Sequence, residues 1–282
     1  MDALLPLGPA PRPDSDHELA NRLRDALVAL SGEQVQGLDA AKIMPVLDGS
    51  DLATLDIDLT GVAVGVPPAD QTAPTPWSPQ IEERDAAVLR TLRLDAHPLT
   101  AVDLPVDLAA ELSGLRFAWV TTDDGLLGAE LIKPTNATPV TGHARAATSR
   151  AGLAGTVQGL LAVALSSSGL QLTDFDLHID QTGPRDARIE VVASIKKGMF
   201  LSAKVTASAA ASIDRQMVLT VDHVKISSGN PIVAAMLAAM RGRIEEAAGR
   251  RVDLADALPP GVRLTDVTLD VGDEIVLNAR LG

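Results

Sequence analysis

The side chains best suited to chemistry are few and dispersed. Five histidines stand at His17, His97, His143, His178 and His223. None belongs to an HExxH pair or any comparable metal-ligand spacing. His178 and His223 fall in alternating segments and read as polar-face residues of strands. Cysteine is absent, which excludes a thiolate nucleophile, a thiolate metal site and a disulfide framework. No GxSxG elbow, phosphate-binding P-loop or GxGxxG fingerprint occurs. The paired carboxylates Asp123-Asp124 and Glu245-Glu246 read as a turn and a solvated helix face. The expectation is a protein that is not an enzyme, with no catalytic residue, no metal site and no cofactor.

Composition narrows the partners. The chain has 282 residues, a formal net charge of −13 and 46% apolar residues, but only 2% aromatics, with no Tyr. The core must therefore be filled by Ala, Val, Leu and Ile. So acidic a chain with so few stacking platforms does not suit nucleic acid, and its charge disfavours broad adhesion to an anionic membrane. No run approaches the eighteen or so apolar residues of a membrane-spanning helix. Met1–Asp16 is Pro-rich and acidic, without the basic and apolar regions of a secretory signal. The expected location is cytoplasmic, or the envelope where an export signal precedes this chain.

The elements that would position a site follow from periodicity. Residues 1–14 read as a disordered tail and 15–282 as a single α+β domain with a Pro-rich loop at 67–80. Helical spacing marks Ser15–Leu30, a short helix at Asp39–Leu47, then Ala151–Ser166 and a helix from Pro231 to about Arg251. Alternation marks strands at Leu55–Val66, Leu92–Leu104, Gly114–Val120, Leu126–Ile132, Leu170–Ile179, Ala187–Ile195, Met199–Ile213, Met217–Ile226, Val262–Val271 and Glu274–Leu281. A turn falls at Asp123-Asp124-Gly125. Met199–Ile213 is far longer than the usual strand of about five or six residues.

Three segments share a pattern: Leu59-Thr60-Gly61, Leu172-Thr173-Asp174 and Leu264-Thr265-Asp266, each followed by alternating apolar residues. The apolar phase slips by one at each, the signature of a β-bulge, and a helical segment lies upstream of each. The recurrence is either chance in a Leu/Val/Thr/Asp-rich chain or a helix-then-bulged-strand unit used three times. On Met199–Ile213 one face carries Leu201, Ala203, Val205, Ala207, Ala209, Ala211 and Ile213. Its alanines either let a helix pack closely or line an apolar space.

From Leu92 onward the order of features resembles the actinobacterial LmeA-like family, itself similar to the tubular lipid-binding (TULIP) superfamily. The likeness rests on Leu115-Arg116-Phe117-Ala118-Trp119-Val120 with Asp124-Gly125, and on Gly169-Leu170-Gln171-Leu172-Thr173-Asp174. It continues in Asn230-Pro231 and in Leu258-Pro259-Pro260-Gly261-Val262-Arg263-Leu264-Thr265-Asp266-Val267. The resemblance implies a TULIP-like fold, a long curved antiparallel sheet wrapped around amphipathic helices, with a groove or tunnel for phospholipid tails. The partner would be lipid, with transient membrane contact, and the role lipid carriage or homeostasis.

The expected apolar lining is Leu161, Leu165, Phe175, Leu177, Leu201, Ala203, Val205, Ala207, Ala209, Val233, Met236, Leu237, Met240, Val267 and Leu269. The basic residues Lys196, Lys197, Arg241 and Arg243 are either solvated surface or a rim that meets lipid phosphates. The alternative is a non-catalytic interaction domain with a filled core, self-associating as a homodimer through a sheet edge.

Overall fold

A computed structural model describes residues 4–32, 34–65, 77–166, 169–197, 201–231, 233–235, 251–258 and 261–282. In chain order the first elements are β1 (Leu4–Pro9), α1 (Asp16–Ser31), β2 (Val35–Gln36), β3 (Lys42–Asp48), β4 (Asp51–Asp58), β5 (Ala63–Val64), β6 (Ile81–Ala101), β7 (Leu104–Thr122), β8 (Leu126–Ile132) and β9 (Thr141–Ser149). Then follow α2 (Arg150–Ser166), β10 (Gln171–Gly183), β11 (Asp186–Lys197), β12 (Leu201–Ile213), β13 (Val218–Ser228), β14 (Arg251–Asp253), β15 (Leu264–Val271) and β16 (Glu274–Leu281). The class is α+β, dominated by sheet.

Where a single domain over 15–282 is expected, contacts gather into two compact units. The first comprises 1–147, 258–265 and 278–282; the second comprises 148–257 and 266–277. Strands β9, β15 and β16 thus have residues in both. The larger sheet runs β15-β16-β9-β7-β6-β4-β3, with β1, β2, β5 and β8 joined off that path. The smaller runs β10-β11-β12-β13-β14.

In the first unit, β6 and β7 form a hairpin of 21 and 19 residues. Its tip is Val102-Asp103, both with positive φ (49° and 64°), as a two-residue turn of the primed type requires. The expected strand Leu92–Leu104 runs straight through that tip, because neither residue is a turn signal. The expected helix at Asp39–Leu47 is instead a 3-10 turn followed by β3. Pro45 opposes helix, and the residues alternate: Ile43 is buried while Met44 and Val46 face out.

The expected tail also differs. Leu4–Pro9 pairs antiparallel with β8 and buries Leu7, because its leucines find a sheet edge against which to leave water. The phase slip at Gly61 is real, but a turn makes it, not a bulge. Strand β4 ends at Asp58, the Val62 N–H donates to the Leu59 carbonyl at 3.0 Å, and Gly61 takes φ 84° before β5 resumes.

In the second unit, the expected bulge at Thr173 is present. Leu172 pairs with Ile195 and Asp174 with Ser194, leaving Thr173 extra, and its hydroxyl donates to the Ser194 carbonyl. Thr265 makes the equivalent donation to the Arg280 carbonyl in the first unit. Arg185 and Gln181 secure β15 to the β10–β11 turn. Arg185 donates to the Val267 carbonyl and to Asp266 (2.6 Å), and Gln181 bonds the Leu269 carbonyl and the Val271 N–H. Residues 231 and 233–235 are helical, with Asn230 capping Val233 N. Arg251 opens β14 instead of ending a helix, and residues 236–250 lie outside those described, as do 67–76 of the Pro-rich loop.

Two predictions follow from the backbone. Gly114, in the middle of β7, has φ 80°. Gly114→Ala is expected to cost about 1–2 kcal/mol, read as a lower urea midpoint with an unchanged slope. Asp58 accepts the Thr60 N–H (2.9 Å) and the Lys42 ammonium (3.0 Å). Its hydrogen bonds to Thr60, then that to Lys42, hold its carboxyl well below the ordinary carboxylate range. A lowered folded pKa gives stability that is present above the unfolded value of about 4 and lost as pH falls toward the folded one. Asp58→Asn is therefore expected to be less stable than the parent at neutral pH, with the gap closing in melts taken progressively below about pH 4.

Candidate lipid-binding site

Strict alternation sends strand residues three apart to opposite faces. Leu52 and Leu55 on β4, Leu89 and Leu92 on β6, and Leu112 and Leu115 on β7 nevertheless line one cavity. Each strand changes phase between its two leucines. On β4, Val46 pairs with Thr54 and Leu47 with Leu52, so Ala53 is an extra residue. On β6 and β7 the ladder passes from Leu89–Leu115 to Thr91–Ser113, with Arg90 opposite the left-handed Gly114. The result is two cross-strand rows, Leu52–Leu89–Leu115 and Leu55–Leu92–Leu112.

Helix α1 covers them. Ser15 caps it by accepting the Glu18 N–H, and Leu19, Leu23 and Leu30 reach the cavity. From Leu19 to Leu30 the helix axis runs about 16 Å, so the space is elongated beneath it. Leu30, 44% exposed, stands where the cavity meets the surface. β1 and β8 add the remaining aliphatic wall, and Phe117 and Trp119 meet edge-on with ring centroids 5.1 Å apart.

The cavity measures about 380 Å³, and thirteen of its sixteen lining residues are leucine. Among the described residues, the one polar side-chain group in the wall is the Trp119 indole N–H, which donates to the Ser50 carbonyl at 2.8 Å. The wall therefore offers a ligand no side-chain hydrogen bond, and what it can hold is hydrocarbon.

None of the expected residues that the structure describes lines this cavity. Leu165, Ala203, Val205 and Val233 do come together, in a packed cluster with Leu170, Leu172 and Ile195. Phe175, Leu177 and Leu269 join a second cluster with Leu153 and Val157 of α2. Phe175 and Leu177 also face an open pocket of about 950 Å³ edged by Arg150, Gln158 and Asp273. Val267 is fully buried; Leu161, Ala207 and Ala209 are half-buried. Lys196 and Lys197 are exposed at the end of β11. The side chain of Leu201, and Met236, Leu237, Met240, Arg241 and Arg243, lie outside the described residues. The unused signal in the sequence was the Leu-x-x-Leu spacing at 52–55, 89–92 and 112–115.

No group of three or more His, Asp or Glu among the described residues is placed to hold a metal. Among those residues no helix is long and apolar enough to cross a membrane. No curated protein and no solved structure matches the chain. A family profile does, over residues 114–280. The match covers more than half the chain and opens at Gly114, the glycine of the kink. It includes the Leu115, Phe117, Trp119, Ala129 and Leu131 wall of the cavity. The chain belongs to the LmeA-like phospholipid-binding family.

Proposed function

We propose that the protein is a non-catalytic phospholipid carrier that holds an acyl chain in the leucine cavity of its first unit. The observation that carries this reading is the cavity itself, about 380 Å³ with a wall of leucine, Phe117 and Trp119. Taking a methylene at about the 30 Å³ of a water molecule, it holds about a dozen carbons. Their burial supplies on the order of 10 kcal/mol before the costs of association. The long strands and the helix-covered apolar space support the likeness to tubular lipid-binding proteins.

A carrier must meet the bilayer from which it loads, and α2 suits that contact. From Ala151 to Ser166 it has no charged residue, yet Leu160 and Val163 are 56% and 72% exposed. An apolar face left in water is a common mark of a membrane or protein contact. The rival reading, a filled domain that self-associates, has its own observation. The edge strand β3 exposes Met44 and Val46, although Pro45 between them blunts the edge.

The direct test is native mass spectrometry with lipid extraction, repeated on two variants. The parent is expected to carry one phospholipid per chain. Leu92→Trp, which sets an indole in the middle of one leucine row of the cavity, is expected to weaken loading while circular dichroism stays unchanged, and Ala207→Phe on β12 is expected to load normally. The opposite pattern would move the site to β12, and a chain that stays empty and dimeric would favour self-association. For the membrane contact, Leu160→Glu with Val163→Glu is expected to slow transfer between vesicles roughly tenfold. Loading with monomeric short-chain lipid should be unaffected.

A further inference from the structure

The sheet face that forms the cavity does not end in leucine. Along β6 the residues on that face are Leu89, Ala87, Asp85 and Glu83. Their partners on β7 are Leu115, Phe117, Trp119 and Thr121. Over these four residue pairs the surface passes from hydrocarbon through an aromatic ring to carboxylate and hydroxyl. Trp119 lines both the leucine cavity and a second, polar pocket of about 840 Å³ that also takes in Arg12, Asp14, Glu83 and Asp85.

The polar pocket is built from pinned backbone. Arg22 of α1 donates to the carbonyls of Pro9 (2.6 Å) and Pro11 (3.2 Å). The Ala10 N–H donates to the Gly125 carbonyl (2.9 Å), and Asp16 accepts the Leu47 N–H (2.8 Å). Arg12 is held there, donating to Asp85 at 3.0 Å with its guanidinium carbon 5.8 Å from the Trp119 ring centroid. The Trp119 face thus already carries a cation. Asp14 and Glu83 form no ion pair among the described residues. One guanidinium and three carboxylates leave the pocket with a surplus of negative charge beside the end of a hydrocarbon slot.

We propose that this pocket is the headgroup subsite of the cavity and that it selects a phospholipid whose headgroup bears an ammonium group. The inference rests on the cavity reading above. Arg12 pairs with the phosphate, as a guanidinium does readily. The ammonium lies against Glu83 and Asp14. An anionic headgroup such as glycerol phosphate meets the same carboxylates with nothing to neutralise them.

The test is equilibrium binding of monomeric short-chain phosphatidylethanolamine, phosphatidylcholine and phosphatidylglycerol with identical tails, which removes vesicle surface charge from the comparison. The two ammonium lipids are expected to bind roughly fivefold tighter than the glycerol lipid, the scale of exposed ion pairs. Glu83→Gln with Asp14→Asn is expected to erase that preference. Asp174→Asn with Asp180→Asn, which removes the same charge from β10, is expected to keep it. Free choline and ethanolamine are expected not to compete at lipid-saturating concentrations, since without tails they lack the cavity's contribution. Equal binding of all three lipids, preference for the glycerol lipid, or loss of preference in the β10 control each overturns the subsite while leaving the cavity standing. Failure of every lipid to bind, with Leu92→Trp indistinguishable from the parent, overturns the cavity reading and the subsite with it.

Discussion

A pleated strand offers one residue in two to a given face, so a wall made wholly of leucine needs either many strands or a break in the pleat. In the first unit the break is shared. The extra residue at Ala53, the unbridged Arg90 and the left-handed Gly114 lie at one level across β4, β6 and β7. Had only one strand slipped, its leucine would face outward and the ladders beside it would lose register. Because all three change phase together, six leucines reach one side while the hydrogen-bonded ladder resumes beyond the kink.

The same face shows how a fold of low aromatic content places polarity. Trp119 is one of two tryptophans in the chain and it stands at the boundary, its indole N–H tied to the Ser50 carbonyl and Arg12 over its ring. An aromatic with an apolar body and a polar handle is suited to such a border. Leucine on one side and carboxylate on the other follow from strand period alone, since Leu89, Ala87, Asp85 and Glu83 differ by steps of two.

Much of the fold was legible in the residues. The Ser15 cap and Leu19/Leu23 spacing marked α1, β8 followed a clear turn at Asp123-Asp124-Gly125, and alternation marked β16. Segments that fit two periods were not legible: Ile43, Met44, Val46 and Leu47 satisfy helical and alternating spacing alike, and Pro45 decides for strand. The start of β6 was hidden because Glu82, Glu83, Arg84 and Asp85 are charged on both faces, which reads as loop. Its partner β7 supplies the ladder that orders it. The cavity was sought on β12, where alanines suggest room. Small side chains leave a void only when what faces them stays away; Ala203 is buried in a packed cluster, while Ala207 and Ala209 are half-buried. The void in the first unit is made by large side chains on a bent backbone, a property of register that composition does not display.

That geometry has an energetic consequence. Side chains that line such a space have no partner atoms on the side that faces it and forfeit those dispersion contacts. Leucines free to turn inward recover part of that loss by partial collapse, and a hydrocarbon chain of the kind proposed above would recover more by supplying the missing contacts. On the proposed function the ligand is the last piece of the core, and binding and folding draw on the same surface. Release would then require something else to fill or wet the space, and a bilayer would meet that requirement by receiving the chain into an equally apolar medium.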